Sequence, residues 1–303
     1  MPTRVILDTD IGTDVDDCLA LALLLASPEL KLEGVTCVYG DVDLRVHMAE
    51  KLLALRGLKD VPVRAGARKP LLGLREVYWE GHEGQGLLTE ADHQKPISPE
   101  FAPDFLVRMI MENPNQIHLI AIGPLTNVAM AFLKEPKLAK NLAQLTVMGG
   151  VVRGMHDLSL PYAEHNIHCD PEAAHIVFSS GAPISLIPLD TTVQVRVTAQ
   201  GLERIRAAGT PFHEAIAGQV ERYPRFQAQG WTNLHDPLAA ASVIRPNLVE
   251  FTPLHLDVEL VGTFTAGATL MQTPTGKAMA NVRVALRVNV TEFEEFFVGR
   301  AAR

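Results

Sequence analysis

The chain has 303 residues, 47% apolar and 20% charged, a balance that suits a packed globular protein and excludes a disordered one. A formal charge of −8 and a pI of about 5.8 argue against a nucleic-acid backbone as partner. No run of about 18 apolar residues occurs and the first strand starts almost at once, so neither a membrane span nor a signal peptide is expected. Cys18, Cys37 and Cys169 are far apart and form no CxxC pair, the pattern of reduced thiols in a cytoplasmic protein.

Val5, Ile6 and Leu7 form a continuous, partly β-branched block, as expected for a strand buried on both faces. Gly12 and Thr13 mark a turn. The apolar run from Leu19 to Leu25 predicts a helix, with Asp16 or Asp17 as candidate cap. Leu32–Tyr39 reads as a second strand, and Leu44, Met48, Leu52 and Leu55 give a helix over Asp43–Leu55. Val61–Ala65 is a short strand. Gly66–Pro99 is a long loop holding Gly73, Gly81, Gly84, Gly86 and the segment Tyr78–His82; such loops in compact domains are commonly lids. A solvated loop residue is the plain alternative for His82.

Phe101–Glu112 reads as a helix and Gln116–Ala121 as a buried strand that ends at Ile122-Gly123-Pro124, a strand-to-helix corner with free backbone groups. Leu142–Met148 is a strand, Asp170–Ser179 a helix opened by Asp-Pro, and Pro183–Pro188 a strand. Two outer helices are predicted over Ala199–Ala228 and another over Leu238–Ile244. Phe251–Val261 and Ala278–Val290 read as an antiparallel hairpin around Pro274–Gly276, with Thr291–Ala302 as the closing helix. The expectation is a single-domain α/β protein over residues 1–303, a mainly parallel open sheet flanked by helices with a C-terminal antiparallel hairpin.

Asp8, Asp10, Asp14, Asp16 and Asp17 fall within ten positions at the carboxyl end of the first strand, the edge where open α/β sheets bind ligands. Capping and turn preferences account for one or two of them. Five together repel one another and raise each other's pKa values, a conflict that a hard divalent cation resolves. An EF-hand does not fit, because Thr13 stands at the glycine position and Leu19 at the bidentate glutamate. His235-Asp236-Pro237 and the Ile122 corner offer further oxygens, although each alone reads as a helix start or a tight turn. A Ca²⁺ takes about six to eight oxygens, so carboxylates from two corners and a carbonyl from a third make a sensible set.

Taken in order, Asp8–Asp14 with Asp16-Asp17, Ile122–Val128, Met148–Gly150, Ala163–Asn166 with Asp170–Ala174, and His235–Pro237 resemble the inosine-uridine nucleoside hydrolase family. The resemblance implies a Rossmann-like ribonucleoside N-glycosidase of purine and pyrimidine salvage, with one Ca²⁺ per subunit and a dimeric or tetrameric homo-oligomer. It implies Asp10, Asp17, Asp236 and the Ile122 carbonyl as metal ligands, and Asp10 as general base on a metal-bound water. Asp14 or Asp16 would hold the ribose 2′-hydroxyl, Glu164 and Asn166 the rest of the ribose, and His235 would be a second catalytic residue near the leaving base, protonating the departing ring. Met148, Asp41, His82 in the lid and Trp231 complete the implied substrate contacts; Trp79 and Trp231 are also candidates to stack on a base or simply to pack.

Two departures stand out. The adjacent aspartate pair falls two positions later than in the usual fingerprint, and Leu158 and Asp41 stand where the family commonly has asparagine. Two rival readings are a haloacid-dehalogenase-type phosphatase, from Asp8-x-Asp10, and a Ca²⁺-dependent nucleoside-binding protein without turnover. The first leaves His235-Asp236 and Glu164–Asn166 unexplained.

Overall fold

A computed structural model describes residues 1–303 apart from Thr13 and residues 78–83, 153–158 and 276–278. Its strands are β1 (Thr3–Thr9), β2 (Leu30–Cys37), β3 (Val63–Ala65), β4 (Ile117–Ala121), β5 (Gln144–Met148), β6 (Ile184–Ile187), β7 (Arg196–Thr198), β8 (Trp231–Asn233), β9 (Val249–Val258), β10 (Thr269–Gln272) and β11 (Val282–Val288). Between them run α1 (Asp16–Leu25), α2 (Val42–Leu55), α3 (Glu90–His93), α4 (Ala102–Glu112), α5 (Thr126–Lys134), α6 (Leu138–Asn141), α7 (His165–Cys169), α8 (Pro171–Phe178) and α9 (Leu189–Thr192). The rest are α10 (Ala199–Arg206), α11 (Pro211–Arg222), α12 (Pro224–Gln229), α13 (His235–Ile244) and α14 (Val290–Ala301).

Nine strands form one sheet in the order β10-β9-β11-β6-β5-β4-β1-β2-β3, parallel from β11 through β3. The run β3-β2-β1-β4-β5-β6 is the doubly wound order, whose direction of winding reverses between β1 and β4 and leaves a crevice beyond their carboxyl ends. Val5 and Leu7 enter the core on one face of the sheet and Ile6 the core on the other. That alternation is the reason the block is apolar throughout. Burial of each such side chain is worth about 1.5–3 kcal/mol, which makes β1 a rigid base for whatever follows it.

The expected antiparallel pairing of the two C-terminal strands is present, with one further strand added between them in sequence. β9 pairs antiparallel with β11 on one side and with β10 on the other, and β11 joins β6 in parallel. The four-residue β10 is exposed at alternate positions and carries too little apolar signal to be seen in the sequence. Ala199–Ala228 holds three helices, and β7 with β8 makes a small antiparallel sheet beside them. Among the described residues, no helix is long and apolar enough to cross a membrane.

Candidate active site

The winding reversal sets β1 and β4 side by side, with Asp8 in register with Ala121 and the Ile122 N–H donating to the Asp8 carbonyl at 2.9 Å. The chain therefore delivers Asp10 and Ile122 to the same crevice. Close approach is possible because residue 123 is glycine: a Cβ there would lie 2.8 Å from Asp10 Oδ1 and 2.9 Å from Asp10 N. A third corner arrives from α13, which packs against α1.

A cavity of about 380 Å³ opens over these corners, lined by Asp10, Asp14, Asp16, Asp17, Ile122, Met148, Glu164, Asn166, His235 and Asp236, among others. Carboxylate oxygens of Asp16, Asp17 and Asp236 lie within 4.8 Å of one another, all three residues buried. Neither Asp16 nor Asp17 caps α1, whose N-cap is Val15 without a side-chain bond. Asp16 instead accepts from the Asp236 N–H at 3.0 Å, capping α13 across the cavity. Asp236 is likewise inside its helix rather than at the cap, which is Leu234, and its carboxylate is left for the cavity. Thr9 Oγ1 donates to Asp17. Burial and mutual repulsion push the carboxyl groups of Asp16, Asp17 and Asp236 well above their ordinary range.

Sequence reading missed the groups that hold this cluster. Arg45, fully buried in α2, donates to the carbonyls of Asp10, Ile11 and Tyr39, and its charge partly offsets the rise at Asp17. A single arginine at an unremarkable helical position gives no motif to find. Asn127, in the first turn of α5, donates to Asp8 Oδ1 at 2.8 Å and to the Cys37 carbonyl at 3.1 Å and accepts from Ala67 N at 2.8 Å. It thus stitches the ends of β1, β2 and β3. Asp8 itself, buried and pushed up to about 7 by desolvation, belongs to this scaffold. Asp170 is structural too: it caps α8 and accepts from Thr126 Oγ1 and Leu71 N.

On the opposite side, Glu164 caps α7 and accepts from Gly150 N at 3.0 Å, while Asn166 Nδ2 donates to the Ile122 carbonyl at 2.8 Å. Burial raises the Glu164 carboxyl. His235 has one ring nitrogen 2.7 Å from Thr192 Oγ1, and desolvation lowers its pKa to about 4, leaving the ring neutral at pH 7. Tyr223 donates to Asp14 Oδ2 at 2.7 Å, and Asp14 Oδ1 accepts from Val15 N. Tyr223, Arg225 and His165 line the cavity as well, and no motif marked them. Asp41 lies elsewhere: it caps α2, accepting from Leu44 N at 3.1 Å. Trp231 begins β8 with the Arg196 guanidinium 5.3 Å over its ring, outside the cavity wall. His82, Trp79 and Leu158 lie outside the described residues.

Buried carboxylates converging at the winding reversal of an α/β sheet mark a site for a polar small molecule or a cation. The family model described as inosine-uridine preferring nucleoside hydrolase matches residues 5–295. The chain is 35% identical over 280 residues to a pyrimidine-specific ribonucleoside hydrolase of Enterobacter, covering 89% of this chain and 88% of the relative. A purine-preferring ribonucleoside hydrolase from Gardnerella vaginalis superposes with a TM-score of 0.88 at 30% identity, over 99% of this chain and 98% of that one. A plant nucleoside hydrolase does so with a TM-score of 0.85 at 28% identity, over 100% and 99%. The chain belongs to the inosine-uridine preferring nucleoside hydrolase family and is an enzyme of that kind.

Proposed function

We propose that this chain, acting as one catalytic domain, hydrolyses the N-glycosidic bond of ribonucleosides to ribose and free base, with one Ca²⁺ at the aspartate cluster. The observation that carries this reading is the convergence of Asp16, Asp17 and Asp236 within 4.8 Å, with Asp10 and Ile122 lining the same cavity. Three buried carboxyl groups with raised pKa values fit a hard cation, which takes oxygen donors and removes their repulsion. Asp10, Asp17, Asp236 and the Ile122 carbonyl are its proposed ligands. Such an ion supplies positive charge that acidifies water and binds hydroxyl oxygens.

Asp10 then accepts the proton of the water that attacks the anomeric carbon, through an oxocarbenium-like transition state. Asp14 or Asp16 serves the 2′-hydroxyl, and Glu164 and Asn166 orient the rest of the ribose. Deoxyribose forgoes the hydrogen bond of the 2′-hydroxyl and is disfavoured. His235, neutral when desolvated, orients the base by hydrogen bonding, with Thr192 fixing its ring.

The relatives divide between a pyrimidine-specific and a purine-preferring enzyme, so the test spans both classes. Reducing-sugar release is measured on purine and pyrimidine ribosides with Ca²⁺ and with chelator, beside Asp10→Asn. The expected result is metal-dependent release that Asp10→Asn abolishes. Tight Ca²⁺ binding without sugar release from any riboside overturns the reading in favour of a binding protein.

A further inference from the structure

The wall facing the aspartates carries a cation for which the hydrolytic steps so far have no task. Tyr223 ends α11 and precedes α12, and its hydroxyl is fixed to Asp14. Pro224 opens α12 and Phe226 is buried in the core, so Arg225 stands between two anchored residues. Arg225 lines the cavity with His235, is itself solvent-exposed, and has no hydrogen bond or ion pair to any described residue. Tyr223, two residues before it, is hydrogen-bonded to Asp14, and Arg225 shares the cavity lining with His235. Holding a long arginine side chain at a cavity rim loses rotamer entropy, which an electron-rich partner offsets through the planar fork of N–H donors.

We propose that Arg225 binds the departing base and stabilises the negative charge that collects on it as the glycosidic bond breaks. This inference rests on the hydrolytic reading of the cavity. The bond between C1′ and the base nitrogen breaks with both electrons passing to the base. Water oxygen bonds to C1′, its proton goes to Asp10, and the anionic base takes a proton from solvent after leaving. A guanidinium keeps its charge throughout and matches the ring carbonyl oxygens over which that charge spreads. The favoured substrates are ribosides of oxo-bases, whose carbonyl groups carry the charge. Amino-substituted bases, with a donor in that position, are disfavoured.

The effect sits below the roughly hundredfold to thousandfold of a water-excluded oxyanion donor, because Arg225 reaches solvent. The test compares kcat/KM of wild type, Arg225→Ala and Arg225→Lys, each saturated with Ca²⁺. The substrates are the natural riboside cleaved fastest, its 5′-monophosphate and p-nitrophenyl riboside, whose leaving group departs as a stable anion unaided. Arg225→Ala is expected to lose about tenfold on the natural riboside and less than about threefold on the nitrophenyl riboside, with Arg225→Lys recovering part of the loss. An equal loss on both substrates, or on neither, overturns the role of Arg225. So does a loss confined to the 5′-monophosphate, which moves the arginine to the other end of the sugar. Wild type that cleaves none of the three overturns the hydrolytic reading itself.

Discussion

Asp92 and the Asp16–Asp17–Asp236 cluster are all buried carboxylates, yet their surroundings push them in opposite directions. Asp92 closes a capping box with Thr89 at the start of α3, and it accepts from Lys51 Nζ at 2.8 Å and Lys95 Nζ at 2.7 Å. These donors hold its carboxyl well below the ordinary range. The cluster has three acids within 4.8 Å, Asp10 and Asp14 beside them, and Arg45 turned chiefly to backbone carbonyls. Its carboxyl groups lie well above the ordinary range. Charge at Asp92 stabilises the fold, whereas charge in the cluster opposes it. Protonation relieves the second arrangement, and so would a cation bound among the carboxylates.

The largest effect should come from removing one cluster charge. Asp17→Asn or Asp236→Asn is expected to lower kcat/KM about a thousandfold or more, since these groups act as a unit. In chelator the same variants should be as stable as wild type or more stable by about 1–2 kcal/mol, because a buried repulsion is relieved. Asparagine keeps the acceptor for Thr9 Oγ1 at position 17. Thermal unfolding in chelator checks this, and a loss of metal-free stability in both variants would break the contrast with Asp92.

The pH dependence of the metal-free protein sharpens it further. Folded Asp16, Asp17 and Asp236 have raised pKa values and folded Asp8 titrates near 7, so the native state holds protons that the unfolded chain has released. Stability from this source is complete below the ordinary carboxylate range and is lost as pH rises through the folded values. His118 and His235, both lowered to about 4, contribute with the opposite sign, but only up to their ordinary value of 6.5. Between pH 6.5 and 8 the Tm in chelator should therefore fall. Divalent cation at about a hundredfold its Kd should add about 2.7 kcal/mol and flatten the slope. A Tm that climbs across that window in chelator contradicts the assignment.

Position matters as well as charge. In Gly123→Ala the new Cβ meets Asp10 at both its backbone nitrogen and its Oδ1, at 2.9 and 2.8 Å, so the carboxylate must shift. A loss of about tenfold to a hundredfold in kcat is expected, the scale of an ångström's misplacement, together with a stability loss of about 1–3 kcal/mol because the contacts include backbone and Val38. Unchanged kcat would show that Asp10 does not need that seat.

How much of this was legible follows from the kind of signal each part leaves. The parallel sheet was readable because strands buried on both faces carry apolar runs, as in Val5–Leu7 and Leu119–Ala121. The corners were readable because Asp, Gly and Pro have narrow backbone roles. The short β7 and β8 were not, since they pair with each other across the helices that separate them, nor was β10, four residues long and exposed at alternate positions. Nor was Arg45, whose task is visible only once α2 lies under the Asp10 loop, or Tyr223, which meets Asp14 across 209 positions. That Asp16 caps α13 rather than α1 is a tertiary fact of the same kind.

The smallest effect tests the stabilising member of the pair. Asp92→Asn keeps part of the cap but loses charge against Lys51 and Lys95, whose side chains are 26% and 47% exposed, so screening limits the loss. About 1–2 kcal/mol is expected at neutral pH, with sugar release unchanged. Because the folded carboxyl is depressed, its contribution is present above the ordinary value of 3.8 and is lost as pH falls through the folded value. The difference between wild type and Asp92→Asn should thus hold from pH 5 to 8 and shrink in acid and in high salt. Over the same pH range the metal-free cluster loses stability, so the two aspartate groups should separate in a single set of unfolding curves. A difference that grew toward acid would mean that Asp92 is held by packing rather than by its lysines.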